Sequence, residues 1–196
     1  VRTMTVSRAE QRAATRRALL DEGRRRFAAE GYHHVVLAEV ARAAGVTKGA
    51  AYHHFDSKAG LFRAVVREVQ QELGERVATE AERHEDLWEQ LRAGCRAFLQ
   101  AGTDPAVRQI LLTDAPTVLG WDEWRAQDEE ASARHLAEAL TALTEAGIIT
   151  GQPAQPLTRL LSGAMNEAAL WIARGGDTQA AEVALDRLLA GLRTPA

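Results

Sequence analysis

The stretch LAEVARAAGVTKGAAYHHFDSK occupies residues 37–58, and its punctuation decides how the chain folds. Leu37, Val40, Ala41 and Ala44 fall on one side of a short helix. Gly45 then supplies the left-handed residue that a sharp reversal needs. Thr47 stands as the N-cap of a second short helix, from Lys48 to about Phe55. Two short helices joined by a glycine-containing turn form a helix-turn-helix, whose second helix lies in the major groove of DNA. Neither helix is stable alone, so the pair needs a shared core. Ser57 caps a longer fourth helix with Leu61, Phe62, Val65, Val66, Val69 and Leu73 at helical spacing, and this helix, with Phe27, can supply part of that core.

Working outward, Ser7-x-x-Glu10 has the form of a capping box before a helix from about Arg8 to Glu30, which Gly31-Tyr32 stops. On the other side, Asp86-x-x-Glu89 opens a helix bearing Trp88, Leu91, Cys95, Phe98 and Leu99. Asp104-Pro105 reads as an N-cap followed by the first helical residue. Pro116 and Gly120 are expected to break the next stretch, and one long helix is predicted from about Asp122 to Ala146. Helices near 157–174 and 178–192 close the chain. The fold class is all-α, with about nine helices and no convincing strand. The residues before Ser7 are expected to be disordered.

Composition agrees. The 196 residues include 38 Ala and 22 Leu against 13 Val and 4 Ile, a helical bias. A lone Cys95 excludes an intrachain disulfide framework and a Cys-rich zinc module. No apolar run approaches the roughly 18–20 residues that span a bilayer, and no cleavable leader pattern opens the chain, so no membrane partner and a cytoplasmic location are expected. The net charge of −3 conceals a division. Residues 1–67 hold 13 Lys and Arg against 6 Asp and Glu, a net +7, and the remainder carries −10. A basic folded segment on an acidic body points to phosphate as the partner of the first part.

Gly31-Tyr32 together with the run from Glu39 to Lys58 resembles the tetracycline-repressor (TetR) family of transcriptional regulators over about the first 65 residues. The rest is similar in helix count, length and order, and Asp114–Trp121 resembles one branch of the family. The resemblance implies a helix-turn-helix DNA-binding domain over residues 1–56 and a helical effector-binding and dimerisation domain over 57–196. It implies a homodimeric, sequence-specific repressor, released from a double-stranded DNA operator by a small-molecule effector, with no cofactor and no enzymatic activity. It also implies that Tyr52, His54 and Lys58 contact phosphates, while Lys48, Gly49, Ala50 and His53 meet base edges or adjacent backbone. Physical chemistry agrees at three of these positions. Thr47 and the free amides after it suit a phosphate oxygen, Gly49 permits close approach to DNA, and the Lys48 ammonium can donate to guanine O6 and N7. One departure stands out: the family usually has Ser or Thr where this chain has Val35-Val36, a loss of about 0.5–2 kcal/mol of capping.

In the family the last two helices form a four-helix bundle across the dimer axis. Leu160, Ala164, Trp171, Leu185, Leu188 and Leu189 are the expected interface here, although part of each stripe must be buried within one subunit. The family also encloses a ligand cavity between the fourth helix and the last pair. Trp88, Cys95, Phe98, Trp121, Trp124, Met165 and Asn166 are the expected lining, with His135 and Trp171 as further candidates. Adjacent histidines such as His33-His34 and His53-His54 point about 100° apart on a helix and chelate poorly, so no metal is expected. Two other function classes compete. A helical enzyme lacks an activated Ser, Cys or Lys constellation. An interaction or ligand-binding protein that has lost DNA binding is kept open by the missing hydroxyl at Val36.

Overall fold

The structure, a computed structural model, describes residues 7–194; the stretch expected to be disordered before Ser7 lies outside the described residues. Its helices are α1 (Arg8–Glu30), α2 (Leu37–Ala43), α3 (Lys48–Phe55), α4 (Lys58–Ala81) and α5 (Leu87–Ala101). A π-helix (Val107–Asp114) continues into α6 (Ala115–Val118), and α7 (Trp121–Glu130), α8 (Ser132–Glu145), α9 (Ala154–Ala173) and α10 (Thr178–Ala190) follow. Among the described residues there is no strand.

Caps mark the starts of α1, α3 and α4 and the reversal after α2. Ser7 Oγ accepts from Glu10 N–H at 3.1 Å while the Glu10 carboxylate accepts from Ser7 N–H at 2.7 Å. Thr47 Oγ1 accepts from Ala50 N–H, Ser57 Oγ accepts from Gly60 N–H, and Gly45 takes a φ of +69°. At α5, Asp86 accepts from the Trp88 and Glu89 amides, but Glu89 turns outward to Arg92, so only half of a capping box forms. At α2, Val36 has the extended backbone of an N-cap and no side chain able to act as one. Val36 is also 52% exposed, so replacing it removes little packing. Val36→Ser is therefore expected to raise stability by about 0.5–2 kcal/mol, read as a higher denaturant midpoint at unchanged slope.

Two expectations about the middle of the chain are corrected. Pro116 does not break the helix, since it sits in the first turn of α6 directly after the π-helix, whose wider turn leaves room for the ring. Gly120, at φ +84°, is where the helix ends. The predicted long helix from Asp122 to Ala146 is two, divided at Ala131 (φ −115°, ψ −98°). The corner lies against α4 at Gly74, where a Cβ would stand 3.4 Å from the Ala131 carbonyl carbon, an ordinary van der Waals contact.

One apolar core runs the length of the molecule, with α4 as its axis. The first half of α4 presents Leu61, Phe62, Val65 and Val66 to α1–α3, and all four are fully buried. Phe27 of α1 meets Phe62 edge-to-face at 4.9 Å. From the helix-turn-helix, Leu37, Val40, Ala41, Ala51 and Phe55 join this core, while Ala44 and Val46 pack at its margin. The second half of α4, with Leu73 and Val77, continues the core into the body, where α4 packs against α5 and α8.

Candidate functional site

The face of α3 turned away from the core carries Lys48, Gly49, Tyr52 and His53, all exposed, with Ala50 and His54 half-buried beside them. Ala51 and Phe55 face inward. The first intrahelical bond is Ala51 N–H to Thr47 C=O at 3.1 Å, so the Lys48 and Gly49 amides precede the ladder. Nothing lies within 4 Å of the position a Gly49 side chain would occupy. Lys48 Nζ stands 5.8 Å from the Tyr52 ring centroid. Burial, reinforced by Arg12, His53 and Arg16, holds the His54 imidazole below its ordinary value, so at neutral pH it is an uncharged group.

Lys58, at the start of α4, is engaged within the chain. Its Nζ donates to Tyr32 C=O at 2.9 Å and His33 C=O at 3.4 Å, and lies 4.3 Å from the Tyr32 ring centroid. Tyr32 N–H in turn donates to Asp114 Oδ2 at 2.8 Å, and Gln109 Nε2 donates to the same oxygen at 3.1 Å. The buried Asp114 carboxylate thus ties the end of the π-helix to the turn after α1, a link that local sequence patterns did not signal. Asp114→Ala would leave both donors without their acceptor, and a loss of about 1–3 kcal/mol in denaturant unfolding is expected. The run Arg24-Arg25-Arg26 is occupied as well. Arg24 pairs with Glu72, Arg25 with Glu22, and Arg26 with Glu22, Glu30 and Glu39. Arg25 and Arg26 together hold the Glu22 carboxyl down to about 2.

In the body, α4, α5, α8 and α9, with Asp128 of α7, line a half-open cavity of about 270 Å³. Of the residues named as candidate lining, Cys95, Phe98, Met165 and His135 border it. Burial pushes the Cys95 thiol up to about 12, so it contributes a small neutral surface there. The other expected lining residues are corrected. Trp88 is buried elsewhere, with the Arg193 guanidinium 5.5 Å from its ring centroid. Trp124 is fully buried core, and Trp121 is 61% exposed with its ring centroid 5.0 Å from that of Trp124. Asn166 stands behind the wall, donating to Asp128 Oδ2 at 3.1 Å. Trp171 is exposed on α9. A tryptophan's size signals burial or contact without saying which neighbouring face receives it. Asp128, Ser132 and Ser162 also line the cavity, and no local pattern marked them.

The stripes of α9 and α10 divide. Leu160 (72% exposed), Leu188 (59%), Ala164 and Trp171 face solvent in the single chain. Leu185 and Leu189 are buried against the subunit's own core, which corrects their expected place at an intersubunit face. Arg92 and Arg96 both bind Asp186, fastening α10 to α5. Among the described residues no helix is long and apolar enough to cross a membrane.

Residues 88–192, over half of the chain, match the model of the tetracyclin repressor-like C-terminal domain, and residues 19–65 match that of the bacterial regulatory proteins of the tetR family. The chain belongs to the TetR family. A TetR-family transcriptional regulator from Pectobacterium atrosepticum is 35% identical, with 96% of this chain and 98% of that one covered and a TM-score of 0.79. An HTH-type transcriptional repressor of Mycobacterium tuberculosis is 45% identical over 56 residues, which is 29% of this chain and 30% of that protein. The chain thus matches less than a third of that relative's length. FadR from Bacillus subtilis, solved in complex with stearoyl-CoA, is similar in fold at 20% identity and a TM-score of 0.71, over 88% of this chain and 96% of that one. In this TetR-family chain, α2 and α3 fall within the N-terminal match, and Cys95, Asp128 and Met165 fall within the C-terminal one.

Proposed function

We propose that this chain is a homodimeric transcriptional repressor, in which residues 1–56 read operator DNA and residues 57–196 bind an effector and join the subunits. The exposed face of α3 carries this reading: Lys48, Gly49, Tyr52 and His53 stand together on an N-capped helix face that no other described residue covers. Lys48 would meet a base edge. The amides after Thr47, together with Tyr52, His54 and Lys58, would position the head on phosphates, which fixes register and carries little sequence information. For Lys58 this means leaving the Tyr32 and His33 carbonyls or bridging them to phosphate. A single head making a few such contacts binds weakly at physiological salt, and two-fold symmetry across Leu160, Ala164, Trp171 and Leu188 would double it.

The architecture also supports a lever. The far half of α4 forms one wall of the cavity through Val77, Ala78 and Ala81, while its near half holds the head through Leu61 and Phe62. A molecule favouring one position of α4 would change the separation of the two recognition helices from the ~34–36 Å of one DNA turn. A tenfold loss of operator affinity requires only about 1.4 kcal/mol of preference between the two states.

The test is binding to the DNA upstream of the chain's own gene at several salt concentrations. A sequence-preferring complex that weakens with salt is expected, and its absence overturns the proposal. Lys58→Ala is expected to weaken all sequences alike and lower the salt slope by about one, whereas Lys48→Ala should relax preference at one position by about 1–3 kcal/mol. Identical behaviour of the two variants would show that the assigned roles are wrong.

A further inference from the structure

We propose that the cavity between α4, α5, α8 and α9 takes a compact apolar molecule carrying a cationic nitrogen, received by Asp128 Oδ1 and Ser132 Oγ; this rests on the reading of the cavity as an effector site. Asp128 is 2% exposed and lines the cavity. Its three hydrogen bonds, from Asn166 at 3.1 Å, Ser162 at 3.3 Å and Arg125 at 3.4 Å, all fall on Oδ2. Among the described residues no donor reaches Oδ1. Ser132, at the start of α8, is also buried and lines the same space, and its Oγ has no hydrogen-bond partner. Buried polar atoms without partners are costly and uncommon. Here one, Ser132 Oγ, sits on the same wall as Asp128, four residues away across the α7–α8 corner.

The charge around them selects the sign. Asp128 lines the buried wall, while Glu82 and Glu138 are exposed and Glu138 pairs with Arg134 at 3.3 Å and lies 3.4 Å from His135, the one basic residue of the lining among the described residues. No Lys or Arg lines it. Arg125 approaches Asp128 from behind and also reaches Ser162 and Glu129. Burial outweighs these contacts and pushes the Asp128 carboxyl up from its ordinary value. A second cation at Oδ1 would complete the pair. A carboxylate or phosphate would instead enter beside the buried Asp128, with no Lys or Arg in the lining to receive it. Leu91, Phe98, Leu136 and Met165 supply the apolar remainder. At interior packing density the cavity admits a body of about 200 Å³, the size of two fused rings with a short arm.

Three matched probes test this by calorimetry on the full chain at pH 7: 2-naphthylmethylamine, 2-naphthylmethanol and 2-naphthoate. The amine is expected to bind at least about tenfold tighter than the alcohol, with no detectable binding of the acid. An alcohol that matches the amine, or an acid that binds as well as either, overturns the chemical class and leaves the effector cavity standing. If none of the three binds or shifts the melting temperature, the effector-cavity reading itself fails. Asp128→Asn is expected to reduce amine affinity to that of the alcohol, and amine affinity unchanged from wild type overturns the proposal. Should that variant not fold by circular dichroism, Ser132→Ala is read in its place. At least about threefold weaker amine binding is then expected, and unchanged affinity overturns the assignment.

Discussion

Leu188→Glu is expected to leave the subunit folded, convert a dimer to monomers and lower operator affinity by about two to four orders of magnitude. Leu188 is exposed on α10, so the charge costs the subunit no internal packing. Its neighbours in the sequence, Leu185 and Leu189, point the other way into the core and stay in place. In a two-fold interface the substitution acts twice, placing a carboxylate from each subunit among Leu160, Ala164 and Trp171. The operator effect follows from linkage. Once one head is bound, the second sees its half-site at an effective concentration that raises overall affinity by about 10²–10⁴, and separated subunits lose that gain. Sedimentation velocity and electrophoretic mobility shift on the same preparation check both parts. A variant that stays dimeric and binds operator with unchanged affinity would falsify the proposed interface.

Phe62→Ala should have the largest effect on stability, a loss of about 3–5 kcal/mol from a total that is typically about 5–15. The ring is fully buried where α4 meets the head, in edge-to-face contact with Phe27 and Tyr32, each at 4.9 Å between centroids. Closing the resulting void would require α1, α4 and the turn at Tyr32 to move together. That turn is held at once by Asp114 and by Lys58, so little collapse is available. Chemical denaturation measures the loss directly. A change below about 1 kcal/mol would mean that the joint repacks freely and is a poor transmitter of motion between body and head.

Legibility in the sequence followed the range of the interactions. Ser7, Gly45, Thr47 and Ser57 act on amides and carbonyls no more than a few residues away, so the starts of α1, α3 and α4 and the end of α2 could be read directly. Gly60 is a different case. A side chain there would run into the Phe55 carbonyl oxygen, because the chain reverses between α3 and α4, and nothing local announces that approach. The bend at Ala131 carries no breaker residue and falls where α7 and α8 pack against α4, another helix. That bend also settled the lining, since Asp128 and Ser132 lie on either side of it and turn inward toward α9 and the cavity.

The amino-acid order was sufficient for the all-helical class, the helix-turn-helix from Leu37 to Phe55, its capped recognition helix and the division into a basic head and an acidic body. Each of these depends on composition or on contacts within one or two turns. Only the folded chain decided that Leu188 faces out while Leu189 faces in, that Trp121 leaves the cavity to Cys95, Phe98 and Met165, and that Asp114 reaches Tyr32. The physical reason is common to all three. Helical periodicity places a residue on a stripe, but the packing of distant helices decides which part of that stripe is covered.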